Sequence, residues 1–354
     1  SFSEAKRLFY VALTRAKKKL TFVELNVDKK IYNAPANSWV QGLRSFNSDS
    51  SNFWSDIVTT KKTNTNIKAL ANTEIPIPAF YKDGMGISQI TAGMYRNGNT
   101  LNLERCKVIG LIKTNSKKEL ITDSAAGATA FATGKKTKNG MISQSMEDST
   151  DYKTFIEYAE EYKKATGIVV TSTVSHATPA CFYAHYPHRY NANESISAQF
   201  IGSGVEVLIG GGKQYFETRT DNRNLLNELS DSGYQVLESL PENYDTKGIE
   251  KLVYLYSPTQ PGKLVFTEGD EAPSRGAILP LATQKAIEVL NQSDQGFFLL
   301  VEGSQIDWGG HNNDSEYIIN EMLDFDNAIE KGDPFLLSHE SSKIVIKELV
   351  KREL

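Results

Sequence analysis

Apolar and polar positions along the chain fall into three textures. From Ser3, which reads as an N-cap, to Lys19, the residues Leu8, Val11 and Ala12 keep a helical spacing, and Leu20 to Leu25 (LTFVEL) reads as a strand. Residues 26 to 73 are rich in Asn, Ser, Thr and Lys with isolated aromatics, the pattern of a linker or a poorly ordered surface. From Asp83 to Ile329, short continuous apolar runs alternate with helical spacings in the manner of βαβ units.

Within that third region the units follow one another. Phe155 to Gly167 predicts a helix with Phe155, Ile156, Ala159 and Tyr162 on one side and a glycine stop, and Ile168 to Val174 then predicts a buried strand. Val205 to Gly212 is a strand ending in a glycine turn. Ala282 to Leu290 is a helix leading into GFFLLVEGSQIDWGGH, residues 296 to 311. Asp314 can cap a helix whose face carries Ile318, Met322, Phe325 and Ile329, with Gly332 and Pro334 as stop signals. Strands this uniformly apolar are buried on both faces, so the fold class is α/β, a mostly parallel central sheet with helices on both faces. In such sheets ligands collect at the carboxyl ends of the strands.

Composition changes this picture little. The 354 residues, 40% of them hydrophobic and 23% charged, suffice for one large α/β domain or two smaller ones. A net charge of -4 makes nucleic acid an unlikely partner. No apolar stretch approaches the length of a membrane span, and the opening SFSEAKRLFY has neither an initiator Met nor a secretory signal, as expected of a fragment or processed product. Cys106 and Cys181 could pair only if the fold brings them together, and cysteine chemistry is not the expected function.

Chemistry-bearing residues concentrate at three places. In ITDSAAGATAFATGKK, Asp123 and Ser124 stand directly before a run of small residues. Ser124 reads either as a helix cap or as a hydroxyl at the positive end of a helix, where an alkoxide and a bound anion are favoured. Small residues behind it would let the helix approach the sheet closely. After the strand in FFLLVEGSQIDWGGH come Glu302, Asp307 and His311; after IVVTSTV come His176, Thr178, His185, His188 and Arg189. Four of the five histidines lie in these two strand-end loops. Singly each residue has an ordinary structural reading, but together the oxygen and nitrogen donors suit divalent metals.

DGMGISQITAGMY, TDSAAGATAFATGKKTKNG, SHATPACFYAH, VLIGGGKQYF and FLLVEGSQIDWGGHNNDSEYIINEMLDFDNAI, in that order, resemble the alkaline phosphatase family from Asp83 to Ile329. The resemblance implies phosphate monoester hydrolysis through a phosphoserine on Ser124, with Arg189 gripping two phosphate oxygens. It implies Zn²⁺ and Mg²⁺ as cofactors. Asp83 would bridge a zinc and the magnesium, Thr178 and Glu302 would be the other protein ligands of that magnesium, and Asp307 and His311 two of three ligands of the other zinc. His176 would stand beside the magnesium, and Asp123 beside the nucleophile. The implied partners are small phosphomonoesters and a possible second copy in a homodimer, and the implied location is periplasmic or extracellular.

The sequence also departs from that family. An Asp-His pair for one zinc and a last histidine for the other are absent after Ile329, where His339 in FLLSHES is the sole histidine and Ser338 stands where Asp is wanted. The expectation is therefore a C-terminally truncated site with impaired turnover, the alternative being an inactive phosphate- and metal-binding remnant. EIPIPAFYKDGMG has two prolines where the family has a continuous apolar strand, and a central strand tolerates proline badly. At the other end, EAKRLFYVALTRAKKKL resembles the last motif of superfamily 1 helicases of the Rep and UvrD kind, with Arg15 matching the arginine that reaches the nucleotide γ-phosphate. No G-x-x-x-x-G-K-[ST] loop accompanies it, so this stretch is expected to be a helicase relic in a chimeric chain, a superfamily 1 helicase fragment acting on nucleic acid being the other alternative function. The expected organisation is thus a helicase-like fragment at 1–25, a polar linker at 26–75, a phosphatase-like core at 76–332 and an unassigned tail at 333–354.

Overall fold

The computed structural model describes residues 77–82, 84–106, 112–338 and 345–348. Arg15 and the rest of the N-terminal helicase-like stretch, the polar segment after it, Asp83 and His339 lie outside the described residues. The chain divides into two compact units, one of Ser1–Asn64 with Arg105–Lys113, the other of Thr65–Glu104 with Thr114–Leu354. The second unit carries the fold.

Its elements run β1 (Ile77–Lys82), α1 (Ile87–Arg96), α2 (Ser124–Thr133), α3 (Phe155–Glu161), β2 (Ala165–Thr173), α4 (Ala177–Tyr183), α5 (Asn193–Gln199) and β3 (Val207–Gly211). There follow α6 (Gln214–Glu217), α7 (Leu225–Asp231), β4 (Gln235–Leu237), β5 (Leu252–Ser257), α8 (Ile278–Leu290), β6 (Phe297–Glu302), α9 (Gln305–His311), α10 (Ser315–Ser338) and β7 (Val345–Glu348). The strands form one sheet in the order β4-β5-β3-β2-β6-β1-β7, and every pairing is parallel.

The strand period of two sorts the core. Ile168 and Val170 of β2, Leu208 of β3, and Phe298 and Leu300 of β6 join a cluster on one face with α2, α3 and α4. Val169, Val207, Ile209, Leu299 and Val301 join a second cluster on the other face with α8 and α10. Successive side chains point to opposite faces, so a continuous apolar run is what a doubly covered strand requires.

Four local expectations are corrected. β1 is a central strand despite its proline: it lies between β6 and β7, and the ladder with β7 begins only at Ala79, so Pro78 precedes the pairing on that edge. Gly167 does not stop α3; the turn is made at Lys163 in the left-handed region (φ 56°), and Gly167 sits inside β2. A Cβ on Gly167 would lie 2.7 Å from Leu290 and 3.1 Å from Leu299, so the glycine serves close packing instead. Gly332 and Pro334 do not end α10, which continues to Ser338: packing of Met322, Phe325, Ala328 and Ile329 outweighs the local stop signals. The segment after residue 332 thus contributes the end of α10 and strand β7, paired with β1. Asp314 does cap α10, its Oδ1 accepting from the Tyr317 amide at 3.0 Å.

Candidate active site

The helix that follows Asp123 begins differently from the capping alternative for Ser124. Asp123 is the N-cap: its backbone is extended and its Oδ1 accepts from the Ala126 amide at 2.9 Å. Ser124 is therefore the first residue inside α2, buried, with its hydroxyl relieved of the capping duty. The ten-residue helix ends at Gly134 in the left-handed conformation (φ 71°). Its small face packs on α4 rather than directly on the sheet: Cys181 donates from Sγ to the Ala125 carbonyl at 3.3 Å, with Thr129 Oγ1 3.4 Å away. Burial pushes the Cys181 thiol up to about 12, and it is a packing thiol rather than half of a disulfide.

Asp123 also ties the helix start to Arg189. Its Oδ2 accepts from the Gly140 amide at 3.0 Å and from Arg189 Nη1 at 3.3 Å. The Arg189 backbone amide donates to the Gly140 carbonyl at 2.8 Å, so the loop after α4 is pinned to the loop after α2. The other guanidinium tip, Nη2, lies 3.2 Å from His176 Nε2. A guanidinium can only donate, so in this contact Nε2 is the acceptor. An arginine fixed at both tips beside the N-terminus of α2 presents a planar fork and the helix dipole to the same anion.

The loops after β2 and β6 meet here because the two strands are neighbours, with Val170 opposite Glu302. His176 packs edge-on to Trp308 of α9, ring centroids 5.8 Å apart. Glu302 is fully buried at the end of β6, its Oε2 accepting from Ser304 Oγ at 2.5 Å. Thr178, in the first turn of α4, is also fully buried, and its hydroxyl has no hydrogen-bond partner among the described residues. Asp307 and His311, one helical turn apart on α9, face each other at 3.3 Å between Oδ2 and Nε2. The end of β1 comes against them: a Cβ on Gly84 (φ 64°) would lie 2.2 Å from Asp307 Oδ1, so only glycine fits this approach.

Ser124, Asp123, His176 and Arg189 are thus connected by direct contacts or chain adjacency, and Trp308 links them to the helix carrying Asp307 and His311. His185 is separate, whereas His188 adjoins Arg189 in the chain and turns its ring toward Gly140. His185 sits between the Ser143 carbonyl (3.0 Å) and Glu157 (3.4 Å). Burial alone would lower its pKa, but Glu157 and that carbonyl raise it. The His188 ring lies tilted against Tyr190, centroids 4.9 Å apart. Sequence reasoning missed Trp308 and Gln305, both inside FFLLVEGSQIDWGGH; a polar residue so soon after a strand that apolar was the available signal for Gln305.

The buried Thr178 hydroxyl, unpartnered among the described residues, and the buried Glu302 carboxylate supply oxygen donors of the kind a hard cation such as Mg²⁺ prefers. Zinc fits less well. Asp307 and His311 have suitable donors, but no group of three His, Cys, Asp or Glu side chains among the described residues is placed to hold a metal.

The family model described as Alkaline phosphatase matches residues 77–347. Alkaline phosphatase 3 of Bacillus subtilis is 36% identical over 281 residues, which cover 74% of this chain and 58% of that protein. Streptomycin-6-phosphate phosphatase of Streptomyces griseus is 30% identical over 70% of this chain and 67% of its own length. Among solved structures, the alkaline phosphatase of the Antarctic bacterium TAB5 superposes with a TM-score of 0.70 at 36% identity, covering 77% of this chain and 78% of its own. A mutant of that enzyme has Mg bound in a site designated M3. The chain thus spans little more than half the length of the Bacillus relative.

Proposed function

The chain belongs to the alkaline phosphatase family, and from that premise we propose that it hydrolyses phosphate monoesters through a phosphoserine on Ser124. The observation that carries the reading is the start of α2: Asp123 takes the cap, Ser124 stands at N1, and Arg189 is tied to the same carboxylate at 3.3 Å. An anion at this point meets a helix N-terminus and a guanidinium fork together.

Each residue then has a role. Ser124 Oγ attacks phosphorus and the alcohol leaves; water later returns the phosphate. Arg189 donates to two phosphoryl oxygens, whose charge a planar fork matches and a lysine does not. Asp123 and His176 hold that fork in place from its two tips. Glu302 and Thr178 would hold Mg²⁺, with Asp83 as a further ligand, and the cation would supply Lewis-acid charge to the site. Asp307 and His311 would contribute two zinc ligands, fewer among the described residues than the three that protein zinc sites normally use. We infer that turnover by the 354-residue chain is accordingly low. The two-ligand set also favours a second reading, a chain that binds phosphate without releasing product.

The substrates are small phosphomonoesters, gripped by phosphate more than by alcohol. The family suggests a homodimer working outside the cytoplasm; no helix among the described residues is long and apolar enough to cross a membrane. The test is hydrolysis of 4-nitrophenyl phosphate with Mg²⁺ and Zn²⁺ supplied. Ser124→Ala should lower the rate by about 10³-fold or more, the scale of losing an activated nucleophile. Equal rates in parent and variant would remove the nucleophile assignment, and bound phosphate with no product would select the second reading.

A further inference from the structure

Gln305 takes no part in the chemistry above, yet it is fully buried at the start of α9, two residues before Asp307 and three before Trp308. Its carboxamide is used completely. Nε2 donates to the Thr171 carbonyl at 2.8 Å and to the carbonyls of Pro261 and Gly262 at 3.1 Å each, while Oε1 accepts from the Tyr317 hydroxyl at 2.6 Å. One side chain therefore joins β2, the segment between β5 and α8, and α10. The neighbouring Ser304 amide adds a bond to Thr171 Oγ1 at 2.9 Å.

The segment that supplies two of those carbonyls is itself fixed. Gly262 has no room for a side chain, since its Cβ would lie 2.0 Å from the Pro273 carbonyl oxygen. The Arg275 amide donates to the Lys263 carbonyl at 3.1 Å, closing the segment on itself. Its buried guanidinium meets Glu321 at 2.5 Å and Asp324 at 2.8 Å on α10, and the Leu264 amide donates to Glu321 at 2.9 Å. The partners of Gln305 are therefore built as a rigid frame.

A seven-residue helix has little stability of its own, so its pose is set by what grips it. We propose that Gln305 is a positioning residue: its carboxamide clamps the base of α9, sets Trp308 against His176, and so steadies the His176–Arg189 hydrogen bond that aims the phosphate fork. This rests on the phosphatase reading of the site.

Trp308 reports on the clamp directly. In a background with Trp39→Phe and Trp54→Phe it is the only tryptophan of the chain. Acrylamide quenching of Trp308 and calorimetric affinity for inorganic phosphate are measured in that parent and in Gln305→Met, Gln305→Glu and Tyr317→Phe. Gln305→Met, similar in size but unable to donate, should raise the quenching constant several-fold and weaken phosphate about tenfold. Gln305→Glu keeps the length but sets a carboxylate against three carbonyls, and should not rescue either readout. Tyr317→Phe deletes one hydroxyl and retains the fold, so it keeps the test open if the Gln305 variants do not fold; it should weaken phosphate about threefold, and combined with Gln305→Met it should add nothing. A lowered melting temperature with quenching and phosphate affinity both unchanged would overturn the proposal, for Gln305 would then be structural only. Increased Trp308 quenching in a parent that binds no phosphate would keep the α9 clamp and count against the phosphatase reading instead.

Discussion

The two ends of the central sheet treat their buried polar groups in opposite ways. At the amino ends of β2 and β3, Thr166 donates from Oγ1 to Glu160 and from its amide to Glu206, both at 2.6 Å, and the Glu206 amide returns a bond to the Thr166 carbonyl at 3.0 Å. Lys164 donates to the Gln295 carbonyl at 2.9 Å. At the carboxyl ends, the buried hydroxyls of Thr173 and Thr178 have no partner among the described residues, and Arg189 is aimed by Asp123 and His176 next to a helix N-terminus. A buried polar group left unmatched costs roughly 1 to 3 kcal/mol, which a fold carries where a ligand is to supply the missing partner. One end is closed on itself and the other retains bonding capacity.

The largest effect that sharpens this contrast is at Arg189. Arg189→Ala should weaken inorganic phosphate about 100-fold by calorimetry, with Arg189→Lys restoring little of it, because a bidentate charged contact is lost. A change below threefold would mean the open end does not read phosphate through this fork. Next comes Glu302→Ala, which should weaken Mg²⁺ about tenfold or more in the same instrument, since a buried carboxylate dominates a hard-cation site. Unchanged Mg²⁺ binding would take the cation away from the carboxyl end.

The smallest effect concerns the closed end. Burial, with Glu206 second, pushes the Glu160 carboxyl up to about 7. A folded pKa above the unfolded value contributes stability that is complete below the unfolded pKa, near 4.5, and is lost as pH rises through about 7. Glu160→Gln should therefore leave stability at pH 4 nearly unchanged and raise it relative to the parent by about 1 kcal/mol at pH 8.5. Denaturant melts at both pH values check this. An equal shift at both would show that the two carboxylates are not in electrostatic conflict.

Most of the sheet was legible in the sequence because doubly buried strands leave continuous apolar runs, as Ile168 to Val170 and Phe297 to Val301 do. Local stop signals were less reliable. Gly167, Gly332 and Pro334 were read from their own chemistry, whereas packing against Leu290 and Leu299, or the burial of Met322 and Phe325, decided their fate. Within the site, Ser124, Arg189, Asp307 and His311 carried visible chemistry. The cap made by Asp123 is local, to the Ala126 amide, and competed with Ser124 for the same reading, whereas His176 as a partner of Arg189 depends on a contact between loop positions that no linear pattern encodes. Gln305 was hidden for the same reason: its four partners come from residues 171, 261, 262 and 317.

The most direct measurement is acid-quenched labelling. The chain is mixed with a phosphomonoester below neutral pH, quenched within milliseconds, digested and mapped by mass spectrometry. One phosphopeptide is expected, with the phosphate on Ser124, absent in Ser124→Ala and strongly reduced in Arg189→Ala. Phosphate on another residue, or an unchanged yield in Ser124→Ala, would contradict this.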